Sequence, residues 1–151
     1  METSNEKSTA TLIHLSSLCQ YIIPFSGIIL PLLIWSSKKN DSTFIDHNGK
    51  QAINFQLSVF LYSIVFLIIA VPTFILWLIH TIDLSRINEQ EVYLNDILTH
   101  HNITGYVILG FTAILLLFFV KIGEFFLIIY ASAKSSNGEY YKYPLTIPFI
   151  K

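Results

Sequence analysis

Three long stretches almost free of charge govern what this chain can fold into. Residues 9–35, 52–82 and 105–133 contain only two Asp, Glu, Lys or Arg side chains, Lys121 and Glu124. A soluble helix needs a polar face, and the second and third stretches have almost none, so their surroundings must be something other than water. Charged types make up 13% of the 151 residues and apolar types 53%, whereas a soluble domain carries roughly 25% charged residues. With 9 Lys+Arg against 10 Asp+Glu, no basic excess exists to hold a phosphate backbone, which excludes nucleic acid as a partner. The single Cys excludes a disulfide within the chain. The expected class is an all-α integral membrane protein forming one membrane domain over residues 1–151, with the lipid bilayer as its solvent.

The stretch 52–82 would be about 46 Å long as a single helix, against a hydrocarbon core of about 30 Å, so it must tilt or overhang. Asn54 and Gln56 place its first two turns in the interface, and Pro72 permits a kink further on. The stretch 105–133 is also long enough to span and ends in Lys134 and Asn137-Gly138, which suit a helix C-cap. Residues 9–35 differ, because Pro24, Gly27 and Pro31 divide them into two pieces of about 17–18 Å each. Leu12, Leu15, Leu18, Cys19 and Ile22 form an apolar stripe on the first piece, with His14, Ser17, Gln20 and Tyr21 elsewhere on the circumference. Two firm transmembrane helices are therefore expected, together with a broken N-terminal segment that is either a third span or a re-entrant hairpin.

No cleavable signal peptide is expected, since Glu2, Glu6 and Lys7 are not followed by a strongly apolar core. Leu18 is too bulky for a lipoprotein site at Cys19, which is expected to be a small buried residue. Orientation follows from the lysines. Segment 36–51 holds Lys38, Lys39 and Lys50, and segment 134–151 holds Lys134, Lys142 and Lys151, whereas 83–104 has only Arg86 and four acids. The first two are thus expected in the cytoplasm and the third outside, in a multi-pass protein of the cell inner membrane.

Lys121 and Glu124 lie three residues apart in the last stretch, where an isolated charge costs about 2.5–3.5 kcal/mol. Either they neutralise each other on one helix face or they face a wet seam or a partner subunit. Histidines 14, 47, 80, 100 and 101 show no metal-ligand spacing, so neither a metal nor another cofactor is expected. An amphipathic surface helix built on Ile87, Leu94, Ile97 and Leu98 is the expected form of the outer loop. Glu124 has no second carboxylate or activated nucleophile near it in sequence, so no catalytic residues are assigned and the chain is not expected to be an enzyme.

Two segments read as more than solvated loop. The first carries Asp46, Gly49, Lys50, Ala52, Asn54, Phe55 and Gln56 in the pattern D-x-x-G-K-x-A-x-N-F-Q. The second carries Asn137, Gly138, Glu139, Tyr141, Lys142, Tyr143, Pro144, Leu145 and Ile147 in the pattern N-G-E-x-Y-K-Y-P-L-x-I. With the run from Ile22 to Trp35, these resemble a bacterial family of small membrane proteins classed as a domain of unknown function. That family is described as similar to the twenty-kilodalton Tic subunit of chloroplast protein import. Gln51 stands where that pattern commonly has Glu, Pro148 stands where it has a basic residue, and the outer loop is longer than expected.

Physical chemistry alone reads both segments as anchors, with lysines for headgroups, tyrosines for the interface and residues 46–49 as a turn entering a helix. It leaves Asn54 and Gln56 unexplained, unless they hydrogen-bond the first segment or the tail. The expected role is a non-catalytic subunit or scaffold of a membrane complex, with a membrane-protein partner or a second copy of itself. The alternative implied by the resemblance is a transport or translocation component lining a polar path with Gln56, Lys121 and Glu124. The lysine distribution also makes a topological prediction. Cysteines introduced at Ser42 and Ser136 should resist impermeant thiol reagents in intact cells while one at Asn95 labels; labelling at Ser136 and not at Asn95 would invert the orientation.

Overall fold

The computed structural model describes residues 2–81 and 101–151, with side chains described for 2–78 and 105–151. The outer-loop helix expected within 83–104 lies mostly outside the described residues. All regular structure among them is helical: α1 (Ser4–Ser16), a 3-10 turn (Ser17–Tyr21), α2 (Ser26–Lys38), α3 (Thr43–Thr81) and α4 (His101–Ser136), followed by an irregular tail. Within α3 and α4, the segments Thr43–Leu78 and Gly105–Ser136 are long and apolar enough to cross a membrane. Their large side chains, among them Ile68, Phe111, Phe119 and Phe126, are mostly exposed. A buried core helix of a soluble protein would hide them, so the chain is a small membrane protein.

Two compact units divide the chain, one comprising residues 1–61 and 120–151 and the other residues 62–119. In the second unit α3 runs unbroken through Pro72. There the Thr73 hydroxyl donates to the carbonyls of Ile69 and Ala70, on the turn beside the donor that Pro72 lacks. Residues of the two spans face each other across a shallow apolar cleft of about 190 Å³, lined by Ala70, Thr73, Trp77, Tyr106 and Gly110.

The first unit is built around the broken segment. A capping box starts α1: Thr3 Oγ1 accepts from the Glu6 amide at 3.3 Å, and Glu6 Oε2 accepts from the Thr3 amide at 2.7 Å. The break falls at Pro24 and Phe25, and Phe25 takes the left-handed conformation (φ 64) that reverses the chain. A non-glycine residue there costs about 1–2 kcal/mol; edge-to-face packing of Phe25 on Phe60 helps to hold it. Beyond the reversal, α2 packs back on the 3-10 turn and α1. Its far end reaches α3, where Trp35 Nε1 donates to Asp46 Oδ1 at 3.0 Å. His14 meanwhile meets Asn48 near the same end of α3. Of the two expected forms of residues 9–35, the hairpin is the one observed, and the 13 residues of α2 rise only about 20 Å, too short to span.

Segment 36–51 is not the loop expected. Helix α2 continues to Lys38 and α3 begins at Thr43, capped by Ser42 Oγ accepting from the Phe44 amide at 3.1 Å. The cause is amphipathicity. Phe44, Ile45, Asn48 and Ala52 are buried on one side while Lys50 pairs with Asp46 at 2.6 Å on the other. Residues 46–49 are thus helix, and Gly49 serves close packing rather than a turn, because a Cβ there would run into the Trp35 ring.

The apolar stripe of residues 12–22, which runs from α1 through the 3-10 turn, also turns the other way from that of a water-soluble helix. Leu12 is 54% exposed and Ile22 84%, whereas Ala10, Ile13, His14 and Ser17 are buried. Cys19 is half-buried rather than buried. Leu12, Leu15 and Ile22 of the stripe face outward while His14, Ser16 and Ser17 are buried, as a lipid solvent requires. One prediction follows from Gly49. Alanine in a helix interior gains about 1 kcal/mol over glycine, but overpacking a filled site costs about 1–3 kcal/mol. Gly49→Ala should therefore lower the melting temperature in detergent, and a rise would contradict the Trp35 packing.

Candidate functional site

The polar groups of the first unit converge where the tail meets α3. His47, Gln51, Asn54 and Ser58 recur at spacings of four, three and four, so they share one face of α3. Each bonds the tail backbone. His47 Nε2 lies 3.2 Å from the Tyr141 carbonyl oxygen, and Gln51 Oε1 accepts from the Tyr143 amide at 3.3 Å. Ser58 Oγ accepts from the Ile147 amide at 2.8 Å while donating to the Asn54 carbonyl at 2.7 Å. Asn54 binds Ile150 at two points, Nδ2 to the carbonyl oxygen at 2.9 Å and Oδ1 from the amide at 2.8 Å. A tail without helix or sheet would otherwise leave these groups unsatisfied near the bilayer.

The tail is aimed by the end of α4. Gly138 has φ 83; its amide donates to the Ser135 carbonyl and the Glu139 amide to that of Lys134, each at 3.0 Å. This pattern is a Schellman cap, which needs a left-handed residue at the glycine position. Glu139 also pairs with Lys134 at 2.6 Å. Further on, Tyr141 packs its ring against Tyr130 and Tyr143, and Pro144 is exposed at the bend before Leu145 (φ 55).

Tyr143 is the tail's anchor. Its ring stacks on Phe55 with centroids 4.1 Å apart, and its hydroxyl lies 3.0 Å from His14 Nδ1. The other ring nitrogen of His14 is 3.1 Å from Asn48 Oδ1, which also accepts from Ser135 Oγ at 2.9 Å. Asn48 Nδ2 donates to the Phe44 carbonyl at 2.9 Å. Because Asn48 Oδ1 can only accept, His14 Nε2 must carry the proton, which leaves Nδ1 bare to accept from Tyr143. With a neutral imidazole, the Tyr143 hydroxyl completes the network as a donor. Burial lowers the His14 pKa to about 4, outweighing the Asn48 bond that favours protonation; burial also raises Tyr143 well above the usual phenol range.

Deeper in the unit, Lys121 Nζ meets Glu124 Oε2 at 2.9 Å, and the other oxygen of Glu124 accepts from Gln20 Nε2 at 2.7 Å. Glu124 is 1% exposed. The pair is thus a triad, and its third member comes from the 3-10 turn of the hairpin. Gln56 behaves otherwise. It is buried, and among the described residues its Nε2 is the buried side-chain atom left without a partner. The tail contact weighed for both Asn54 and Gln56 falls to Asn54 and Ser58.

Sequence reasoning missed His14, His47, Asn48, Gln51, Ser58, Ser135 and Gln20. The spacing of 47, 51, 54 and 58 was the available signal, hidden by reading 36–51 as a loop.

Two predictions test this arrangement. Asn54→Leu removes both bonds to Ile150 and should destabilise the protein by about 1 kcal/mol or more. Gln56→Leu removes a buried donor that has no partner and should leave the melting curve unchanged or raise it; the reverse order would refute the seam. The second concerns pH. Because the folded His14 pKa lies below 6.5, the unfolded chain takes up the proton first, so stability is lost as pH falls from about 6.5 towards about 4. The loss reaches about 3 kcal/mol. Subtracting the pH profile of His14→Gln from that of the parent should isolate this fall, and parallel profiles would contradict it.

Comparison with known proteins corrects one expectation. The model of the magnetosome magnetite crystal formation protein family matches residues 5–150, and no curated protein and no solved structure matches the chain. The resemblance to the domain of unknown function and to the Tic import subunit is therefore set aside, and the translocation role it implied goes with it. The motif residues that carried it lie largely in and around the seam between tail and α3 (Asn54, Phe55, Tyr141, Tyr143, Ile147), where they answer a packing need. Matched over nearly its whole length, the chain belongs to the magnetosome magnetite crystal formation protein family.

Proposed function

We propose that this protein is a non-catalytic scaffold of the magnetosome membrane that takes part in magnetite crystal formation. The observation that carries the reading is the direction of its polar groups. In the unit holding the seam, His14, Asn48, Asn54, Ser58, Glu124 and Ser135 are buried and bonded to one another, to Gln20 or to the chain's own backbone, not set out along an open path. Chemistry spent on fixing the tail supports a rigid presenting surface more than a conduit. Glu124, once considered for a polar path, has both oxygens occupied.

In this reading segment 36–51, with Lys38, Lys39 and Lys50, and the fixed tail face the cytoplasm, and the acidic segment 83–104 faces the other compartment. The scaffold holds a membrane-protein partner or a second copy of itself through the ordered end. Complementation tests the proposal in a magnetite-forming bacterium that lacks its own copy. The full chain should restore crystal size in electron micrographs, while a chain ending at Asn137 should reach the membrane without restoring it. Equal restoration by the shortened chain, or none by the full one, would refute the proposal.

A further inference from the structure

The outer face of α1 carries a cleft that the tail seam does not use. It has a volume of about 460 Å³ and is lined by Ser4, Lys7, Ser8, Thr11, Leu12, Leu15 and Ser136. Its chemistry changes along the helix. Ser4, Lys7, Ser8 and Thr11 occupy the first turns, and Leu12 and Leu15, 54% and 40% exposed, follow. The whole gradient spans about 16 Å of helix.

The depth of the cleft is fixed by its neighbours. Lys7 lies beside Gly138, just past the end of α4; a Cβ on Gly138 would stand 2.7 Å from Lys7 Cε and 3.2 Å from Nζ. The lysine is therefore seated at the level where the apolar span stops. Its ammonium has no carboxylate partner among the described residues, and the Ser4 and Ser8 hydroxyls are exposed and make no hydrogen bond there. Glu6, the nearest acid in sequence, turns its carboxylate to Thr3 in the capping box. Lys134, which caps the same end of α4 beside Gly138, is held by Glu139.

The geometry points to a binding site for one anionic glycerophospholipid. Lys7, with the Ser4 and Ser8 hydroxyls, holds the phosphate, and an acyl chain lies along Leu12 and Leu15. A free cation beside hydroxyls suits a phosphate oxygen, and the exposed leucines continue the lipid-facing surface of α1. A water-soluble anion would satisfy the polar half and leave the leucines uncovered. The site is separate from the proposed scaffold role and needs only that the chain sits in a bilayer.

The test uses the full chain purified in detergent with equal amounts of phosphatidylglycerol and phosphatidylcholine, and retained lipid is read by native mass spectrometry. The parent should retain phosphatidylglycerol preferentially. Lys7→Gln should lower that retention about fivefold, the worth of one interfacial cation, while Lys7→Arg keeps it. Ser8→Asp, an exposed change that leaves the packing alone, should expel the lipid by repulsion, so the site remains testable if Lys7→Gln folds poorly. Equal retention of the two lipids by the parent, or undiminished phosphatidylglycerol in Ser8→Asp, would overturn the proposal. Displacement by millimolar inorganic phosphate would overturn the lipid assignment by showing that the leucines contribute nothing.

Discussion

The two-point bond between Asn54 and the backbone of Ile150 is the contact on which the rest of the first unit leans. An asparagine amide copies the donor and acceptor of a peptide group, so α3 offers the tail what a neighbouring strand would. Where water is scarce, an irregular segment survives only if every backbone group finds such a partner. Gln51 and Ser58 extend the same service along one helix face. With the tail laid down, Tyr143 can stack on Phe55 and reach His14. His14 then fixes Asn48 and, through it, Ser135 of α4. Tail, hairpin and both long helices are thus joined by one continuous set of hydrogen bonds.

The long spans and the break at Pro24 were legible in the sequence because charge depletion and proline act locally. The direction taken after the break was not. A hairpin and a broken span share the same hydropathy, and the difference lies in Phe25 accepting a left-handed conformation and in Trp35 reaching Asp46. The start of α3 was misplaced for a related reason. Residues 43–51 look like a polar loop by composition, yet Phe44, Ile45 and Asn48 fall on one side of a helix. Once that helix is drawn back to Thr43, the spacing of His47, Gln51, Asn54 and Ser58 becomes readable.

The intramembrane charges show the same logic at greater depth. Lys121 and Glu124 could be paired from their spacing alone, but Gln20 could not be added, since it lies a hundred residues away on the hairpin. Its bond to Glu124 lets the short hairpin tip stay among apolar surroundings while the lysine reaches outward. Among the described residues of this unit, most buried polar side chains are bonded within the chain, while large apolar ones such as Phe126 lie exposed.

Hydrogen exchange of the tail amides in lipid nanodiscs tests this most directly. The amides of Tyr143, Ile147 and Ile150 are bonded to Gln51, Ser58 and Asn54, so they should exchange slowly although they belong to no helix or strand. Asn54→Leu should release Ile150 first. Exchange of all three at the rate of an unstructured peptide, in the unmodified chain, would contradict the account.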